Sequence, residues 1–423
     1  MIFILLLLIL IFQITSYVIL VKKFTDYFNP VLFTFFFIFF PFVLSHLNLS
    51  VYQHNEYHYY VYLIMLFSSF GILLLAFLIN ILKSDHIQKK LEVKNSHLKV
   101  FNIVAILSVV FPITYLYENY MISGHWFSLL TIEVTGDTHL EGIPILREIN
   151  TILRVLLPIM NIYMFLETKK KRYLFLCLVS ILVPLSRGSR STFFNSFLII
   201  LTLIFRKISL KKILAIVTVI LTLVISGISL GNYRRIYTTR EYGFEVGIFS
   251  DFFNNNVLGN IFSWYYGYYS LSFYNLSTSI NNWVQNPNHF LGLTNLNGLL
   301  AYFFNNYPSQ SDFNYSIVNI NGAANVPTAF YYYIVDFGIL GASIFDFIFY
   351  SILFYFYRKS INDSFYRLVY CLLLFNVLNF VFYSSFYAVY LYPIILFLIA
   401  FKFLYIRKKE DNTVANFSFN DNI

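Results

Sequence analysis

The sequence predicts an all-α polytopic membrane protein, and three observations indicate this fold class. Of the 423 residues, 58% are hydrophobic and only 12% are charged, against about 45–50% and about 25% in a soluble domain. The apolar residues form blocks, many of them close to the ~20 residues that cross a bilayer. Basic residues cluster between these blocks, which is typical of cytoplasmic loops. Together these features exclude a cytosolic enzyme, a nucleic-acid binder and a secreted module.

Hydropathy blocks and basic loops together predict about eleven transmembrane helices. In chain order they cover 1–21, 28–48, 59–82, 100–117, 149–166, 173–186, 191–205, 213–230, 333–357, 368–382 and 388–405. The first block has no basic segment before it and is followed by Lys22 and Lys23, which is typical of a first span that starts outside. The chain is then divided into eight spans over 1–230, one large extracytoplasmic loop with interfacial helices over 231–327, three spans over 328–405 and a cytoplasmic tail over 406–423.

The distribution of basic residues supports this orientation. It places 22 of the 29 lysines and arginines, including every lysine, in cytoplasmic loops or at cytoplasmic span ends. The other basic residues are all arginines and lie outside or in mid-membrane: Arg147, Arg154, Arg187, Arg190, Arg234, Arg235 and Arg240. These arginines oppose the charge bias and require another explanation.

The strongest local feature is the hairpin between the sixth and seventh spans, with the sequence Ser-Arg-Gly-Ser-Arg-Ser over 186–191. Each of its helices, at about 16 residues, rises roughly 25 Å, so the tip lies at or slightly below the outer headgroups. Arg187 and Arg190 are costly there unless they pair with an anion, and the guanidinium fork matches phosphate oxygens. The sequence therefore predicts a lipid-phosphate site. Alternatively, both arginines snorkel to ordinary headgroups or pair with loop carboxylates.

Three further arginines, Arg234, Arg235 and Arg240, follow the eighth span at the same outer level. Together with Arg187 and Arg190 in the hairpin, they can bind a diphosphate from two sides. The alternative is an amphipathic segment in which Arg240 pairs with Glu241 or Glu245.

The 231–327 loop is rich in aromatic residues and holds 18 asparagines. Aromatic faces stack on sugar rings, and amides donate to and accept from hydroxyl groups, so this composition favours a sugar ligand. The alternative is that an AT-rich genome and an interfacial aromatic belt account for it.

Asp336 is the predicted general base. It precedes Arg358 by 22 residues, or ~33 Å of helix, which places it at the outer membrane surface. A half-sheltered carboxylate there is suited to accept a proton, although it could instead be the structural partner of an arginine. Asp312 and His289 are the alternative candidates in the loop. The chain has no Asp-X-Asp pair, and we expect neither a metal nor a cofactor.

Arg154 and Asp346 both fall in mid-membrane, at about 21 Å and 18 Å from the inner ends of their spans. We expect a buried ion pair between them, with a proton relay as the alternative.

Two stretches resemble the oligosaccharide repeat-unit polymerases of bacterial O-antigen and capsule, the Wzy-type polymerases. One is the Ser-Arg-Gly-Ser-Arg hairpin, and the other is Asn325-Val-Pro-Thr328 followed by Tyr333-Ile-Val-Asp336-Phe-Gly338-Ile-Leu-Gly341. The architecture, with about eleven spans and a large outer loop before the last few, also resembles that family and the C-type membrane glycosyltransferases. The resemblance covers most of the chain as architecture, but only these short motifs as residues.

The resemblance implies metal-independent glycosyl transfer at the outer face of the bacterial cytoplasmic (inner) membrane. A chain on undecaprenyl diphosphate moves onto the terminal sugar of a lipid-linked repeat unit, and outer-loop arginines take part. It also implies a chain-length regulator protein as a partner. Related O-antigen ligases place a histidine near the end of the large loop, whereas no histidine lies around Asn325 here. The resemblance therefore does not identify the general base. The alternatives are a flippase for lipid-linked oligosaccharide and a transferase of the O-antigen ligase type.

Overall fold

The computed structural model describes residues 2–50, 52–53, 56–82, 97–127, 144–187, 190–204, 259, 262, 265–294, 296, 317, 326–381 and 392–402. Every secondary-structure element within them is a helix. Five of these helices are long and apolar enough to cross a membrane: Ile2–Phe24, Tyr59–Ile81, Val100–Ser123, Leu146–Thr168 and Ala329–Ser360. The all-helical class is thus confirmed and a multi-pass membrane protein is supported, whereas the count of eleven spans and the outer loop stay predictions.

In chain order, the helices are α1 (Ile2–Phe24), α2 (Pro30–Ser45), α3 (Tyr59–Ile81), α4 (His97–Ser123), α5 (Pro144–Thr168), α6 (Lys171–Leu182), α7 (Arg190–Ile204), α8 (Leu271–Gln285), α9 (Ala329–Ser360), α10 (Ser364–Leu378) and α11 (Tyr392–Lys402). A π-helical turn, Phe35–Phe39, interrupts α2, and another, Tyr266–Ser270, leads into α8. A 3-10 turn, Val183–Arg187, follows α6.

The chain forms two compact units, each built from separate segments of sequence. The first unit comprises Met1–Asp85, Phe205–Ile361 and Leu373–Ala388. The second unit comprises His86–Ile204, Asn362–Leu372 and Val389–Ile423. Most of the loop predicted over 231–327 lies outside the described residues, so its boundaries stay predictions.

In the first unit, α3 packs against both α1 and α9. Buried polar bonds join α1 to α3: Gln13 Nε2 donates to Ser69 Oγ at 3.0 Å, and Ser69 Oγ donates to the carbonyl oxygen of Ile9 at 3.1 Å. Because lipid offers no hydrogen-bond partners, such groups must be satisfied between helices, and these bonds help to fix how α1 and α3 pack.

The C-terminal ends of α1, α3 and α9 meet at one end of the first unit. Lys23 Nζ donates to the carbonyl oxygens of Ile79 and Leu82, each at 2.7 Å. The rings of Phe24 and Tyr357 contact each other edge to face at 5.8 Å. The three helices therefore run in the same direction, as the sequence predicts, and we call this the basic end. Its placement on the cytoplasmic side stays a prediction.

Helix α9 is broken at Gly338, whose φ of 71° lies in the left-handed region. Two carbonyl groups next to the break accept hydrogen bonds from the segment after α8. Phe290 N–H donates to Val335 at 2.9 Å, and Leu291 N–H donates to Asp336 at 3.1 Å. The helix predicted over 333–357 is therefore present, but it is not continuous, because it breaks at Gly338. The part after Gly338 is about 33 Å long, which still suffices to cross the hydrocarbon core.

In the second unit, α5 packs against α4, α6 and α7. At the predicted hairpin between the sixth and seventh spans, α6 ends in the 3-10 turn, α7 begins at Arg190 and the two helices contact each other, while residues 188–189 lie outside the described residues. The thiol of Cys177 on α6 donates to the carbonyl oxygen of Pro158 at 3.4 Å. Pro158 lies inside α5, and its ring removes the N–H group that would otherwise continue the helical bonding.

Candidate functional site

The segment after α8, residues 286–294, folds back onto the break in α9, and we call it the junction loop. Its first half is held by Trp283, a buried residue in the last turn of α8. The indole Nε1 donates to the carbonyl oxygen of Asn288 at 3.0 Å. The edge of the same ring system contacts His289, with ring centroids 5.4 Å apart and planes at 75°. The imidazole is thereby fixed by α8.

The second half of the junction loop is held by Asp336. Its side chain is fully buried, and Oδ1 accepts a hydrogen bond from Thr294 N–H at 3.1 Å. Thr294 Oγ1 donates in turn to the carbonyl oxygen of Tyr332, also on α9, at 3.2 Å. The carboxyl group predicted as a general base therefore holds backbone in this structure, which favours a positioning role.

His289 and Asp336, two of the predicted candidates, come together at this junction. The imidazole Cε1 of His289 lies 3.3 Å from the point that a Cβ on Gly338 would occupy. Glycine is favoured at this position both by its positive φ and by the closeness of the ring. Unlike Asp336, His289 is exposed. Of the two, the exposed imidazole is the one that a substrate can reach.

Four exposed amide side chains lie close to His289 in the chain. They are Asn282, Gln285, Asn286 and Asn288. Amide groups both donate to and accept from hydroxyl groups, as carbohydrate recognition requires. The junction loop and the end of α8 thus carry an exposed imidazole and exposed amides, and the backbone of the loop is bonded to α9.

Helix α8 itself is fixed to the loop between α2 and α3. Leu49 N–H donates to Tyr266 Oη at 3.1 Å, and His58 N–H donates to Ser277 Oγ at 2.7 Å. Burial raises the pKa of Tyr266 to about 12 and lowers the pKa of His58, so both side chains are neutral at physiological pH. These contacts hold the platform from which the junction loop starts.

The described residues include no side chain of the arginines that the sequence predicts to bind phosphate. The backbone of Arg187 ends the 3-10 turn and Arg190 begins α7, both in the second unit, but their side chains lie outside the described residues. Arg234, Arg235, Arg240 and Asp312 also lie outside the described residues.

A polar group that the sequence analysis did not single out lies between α4 and α5. Glu118 is fully buried, and Oε2 accepts from Asn150 Nδ2 at 2.7 Å. The Asn150 Oδ1 atom accepts from Thr114 Oγ1 at 2.8 Å, so one amide joins two α4 side chains. In the sequence, the signal for this group is the presence of polar residues near the end of an apolar block. The pairing of Asn150 with Glu118 depends on how α4 and α5 pack.

Arg154 and Asp346 fall in different units. The Nε atom of Arg154 is buried with no hydrogen-bond partner among the described residues, and Ser68 Oγ donates to Asp346 Oδ2 within the first unit. The ion pair expected between Arg154 and Asp346 stays a prediction.

Among the described residues, no group of three or more His, Cys, Asp or Glu side chains could hold a metal ion. Comparison of the chain with protein-family models, with curated proteins and with solved structures gives no match.

Proposed function

We propose that this protein is an integral-membrane glycosyltransferase that polymerises undecaprenyl-diphosphate-linked oligosaccharide repeat units into surface polysaccharide. The observation that supports it best is the junction at Gly338, where an exposed imidazole, with exposed amides close to it in the chain, lies against a membrane helix. A polymerase for lipid-linked sugars needs a proton acceptor and hydroxyl-binding groups close to the bilayer. The resemblance of the two sequence motifs to the polymerase family points the same way.

In the proposed reaction, His289 is the general base. It accepts the proton from a hydroxyl group of the acceptor sugar as that oxygen attacks the anomeric carbon of the donor. The new glycosidic bond forms while the bond from the anomeric carbon to the diphosphate breaks, and the diphosphate leaves with the electron pair. The proton passes from the imidazole to water. Asp336 positions the loop that carries the base, through its bond to Thr294.

The leaving diphosphate requires positive charge, which arginine supplies in the proposed site. We assign this role to Arg187, Arg190, Arg234, Arg235 and Arg240, whose guanidinium groups can form paired hydrogen bonds to phosphate oxygens. No metal is required if arginines offset this charge, so polymerisation should persist in EDTA. We place the reaction at the outer face of the bacterial cytoplasmic membrane, with a chain-length regulator protein as a partner.

Surface-glycan profiling of a deletion strain tests the class of function. Loss of a polymerase leaves single repeat units attached to the cell surface. Loss of a transferase of the O-antigen ligase type leaves none, and loss of a flippase stops export of the lipid-linked unit. Either of the last two results would replace the polymerase proposal with the corresponding alternative.

The role of His289 is tested in proteoliposomes supplied with undecaprenyl-diphosphate-linked repeat units. His289→Gln should lower the polymerisation rate by about 10²-fold or more, because the amide cannot accept the proton. His125→Gln is the matched control, since His125 is also exposed but lies in the second unit. Wild-type rates from His289→Gln would exclude the imidazole as the base.

A further inference from the structure

Asp346 is an ionisable residue in the interior of a membrane-spanning helix. It precedes Arg358 by 12 residues, or about 18 Å of helix, and its side chain is 0% exposed. A charged carboxylate at such a depth is costly unless a cation or several hydrogen-bond donors stabilise it. The groups around Asp346 therefore determine its protonation state.

Helix α1 contacts α9 at the basic end, through Phe24 and Tyr357. Of the other described helices in the first unit, α2, α3 and α8 pack against α9, and none of these three contains an Asp, Glu, Lys, Arg or His residue. Their titratable side chains are tyrosines: Tyr59, Tyr60 and Tyr62 at the start of α3, and Tyr274 on α8. On α9 itself, the titratable neighbours are Tyr333 and Tyr350. The lysines of α1 lie at the basic end, about 18 Å along the helix from Asp346.

Among the described residues, the polar side chains that contact the Asp346 carboxyl group are hydroxyl groups rather than cations. Ser68 Oγ donates to Oδ2, whereas Oδ1 has no partner among the described residues. The hydroxyl group of Tyr350, one turn further on the same helix face, is also buried and interacts with the Asp346 carboxyl group. A neutral acid carries its own O–H group, so the two side chains can share a hydrogen bond in either direction without burying a charge.

Helices α3 and α9 pack closely next to Asp346. A Cβ added to Gly71, one turn after Ser68 on α3, would lie 2.9 Å from Cδ2 of Phe347. The backbone of α3 therefore approaches α9 closely at this level.

We propose that Asp346 and Ser68 form a proton-binding site in the membrane interior, in which the carboxyl group is held as the neutral acid between α3 and α9. No step of the proposed glycosyl transfer uses this site, so the two proposals are independent. Because the carboxyl group is fully buried, its proton exchanges only when α3 and α9 separate enough to admit water. Loss of the proton places a charge at the interface and opposes its closure.

Infrared spectroscopy of the purified full-length protein in nanodiscs tests the protonation state directly. At pH 7 we expect a carbonyl band of a protonated, buried carboxylic acid that persists well above the ordinary titration range of aspartic acid. The band should disappear in Asp346→Asn, shift in Asp346→Glu and remain in Asp336→Asn, the control for the other buried aspartate of α9. A wild-type spectrum without such a band would overturn the proposal, whether or not the variants fold.

Thermal unfolding distinguishes the proton site from two alternatives, a metal-cation site and an ion pair with Arg154. Asp346→Asn should unfold within about 2 °C of wild type at pH 7, and only wild type should lose stability through deprotonation as the pH is raised. A sodium-dependent stabilisation of wild type that is lost in Asp346→Asn would instead indicate a metal-cation site. A large loss of stability in both Asp346→Asn and Arg154→Leu would indicate the ion pair with Arg154. Either result would overturn the proposal.

Discussion

The backbone N–H group of Thr294 donates to Oδ1 of Asp336 at 3.1 Å, joining residues that lie 42 positions apart. Both side chains are fully buried. The carbonyl oxygen of Asp336 accepts a second bond from the junction loop, from Leu291 N–H. Asp336 thus holds the junction loop through both its side chain and its backbone. His289 lies two residues before Leu291, the first of the two residues that are bonded to Asp336.

This relationship predicts different outcomes for two substitutions of Asp336. Asp336→Asn keeps an oxygen that can accept from Thr294 N–H, so it should unfold close to the wild-type temperature. Asp336→Ala leaves that N–H buried without its acceptor, at a cost of about 1–3 kcal/mol. Thermal unfolding in detergent compares the two.

Polymerisation assays on the same variants separate a positioning role from a catalytic one. If Asp336 positions the loop, Asp336→Asn keeps most of the wild-type kcat and an unchanged dependence of kcat on pH. A folded Asp336→Asn variant that makes no polymer would instead identify Asp336 as the base.

Gly338→Ala should destabilise the protein more than Gly124→Ala does. Both glycines have a φ of 71°, but a Cβ on Gly124 would meet nothing within 4 Å, whereas one on Gly338 would lie 3.3 Å from His289. The backbone strain, about 1–2 kcal/mol, is common to both variants. The extra loss in Gly338→Ala, measured by thermal unfolding, reports the contact with the imidazole. Equal losses would show that the junction loop moves freely away from α9.

Arg187→Lys should impair polymerisation nearly as much as Arg187→Ala, because a point charge replaces the guanidinium fork. We expect a loss of about 10²–10³-fold in rate for either variant. Arg147→Lys is the control, since Arg147 pairs with Glu148 at 3.3 Å and is partly exposed. A near wild-type rate for Arg187→Lys would make the hairpin a membrane anchor rather than a phosphate clamp.

Asn150→Ala should cost the second unit more stability than Asn161→Ala. The Asn150 amide bonds both Thr114 and Glu118, whereas Asn161 Nδ2 makes one bond to Ser108 at 2.8 Å. Interhelical hydrogen bonds in membranes average about 0.6 kcal/mol, so a loss of roughly twice that is expected for Asn150→Ala. Unfolding in increasing denaturant measures both, and equal losses would show that the two Asn150 bonds are not both significant.

Cysteine labelling tests the orientation. In a cysteine-free background, a single cysteine at Asn288, which is exposed, should react with an impermeant maleimide in intact cells. Cysteines at His97 or after Arg407 should react only after the membrane is opened. Labelling of residue 97 in intact cells would reverse the predicted topology.

The sequence by itself determined the features that depend on short stretches of chain. Long apolar runs must satisfy their backbone internally in lipid, so they predict helices wherever they occur. The basic residues in the last turns of α1 and α9 predict that these two helix ends lie on the same side, and the contact of Phe24 with Tyr357 at the basic end agrees with that prediction.

The tertiary structure decided what the polar residues do, because their partners are distant in sequence. The sequence marked Asp336 as an acid at a membrane surface, but only the fold brings Thr294 to it. It also predicted an uninterrupted span across Gly338. A lone glycine costs a helix only about 1 kcal/mol relative to alanine, and the break depends on hydrogen bonds that the junction loop donates to Val335 and Asp336. The approach of α3 to α9 at Gly71, which places Ser68 at Asp346, likewise follows from side-chain packing between helices rather than from the hydropathy of either one.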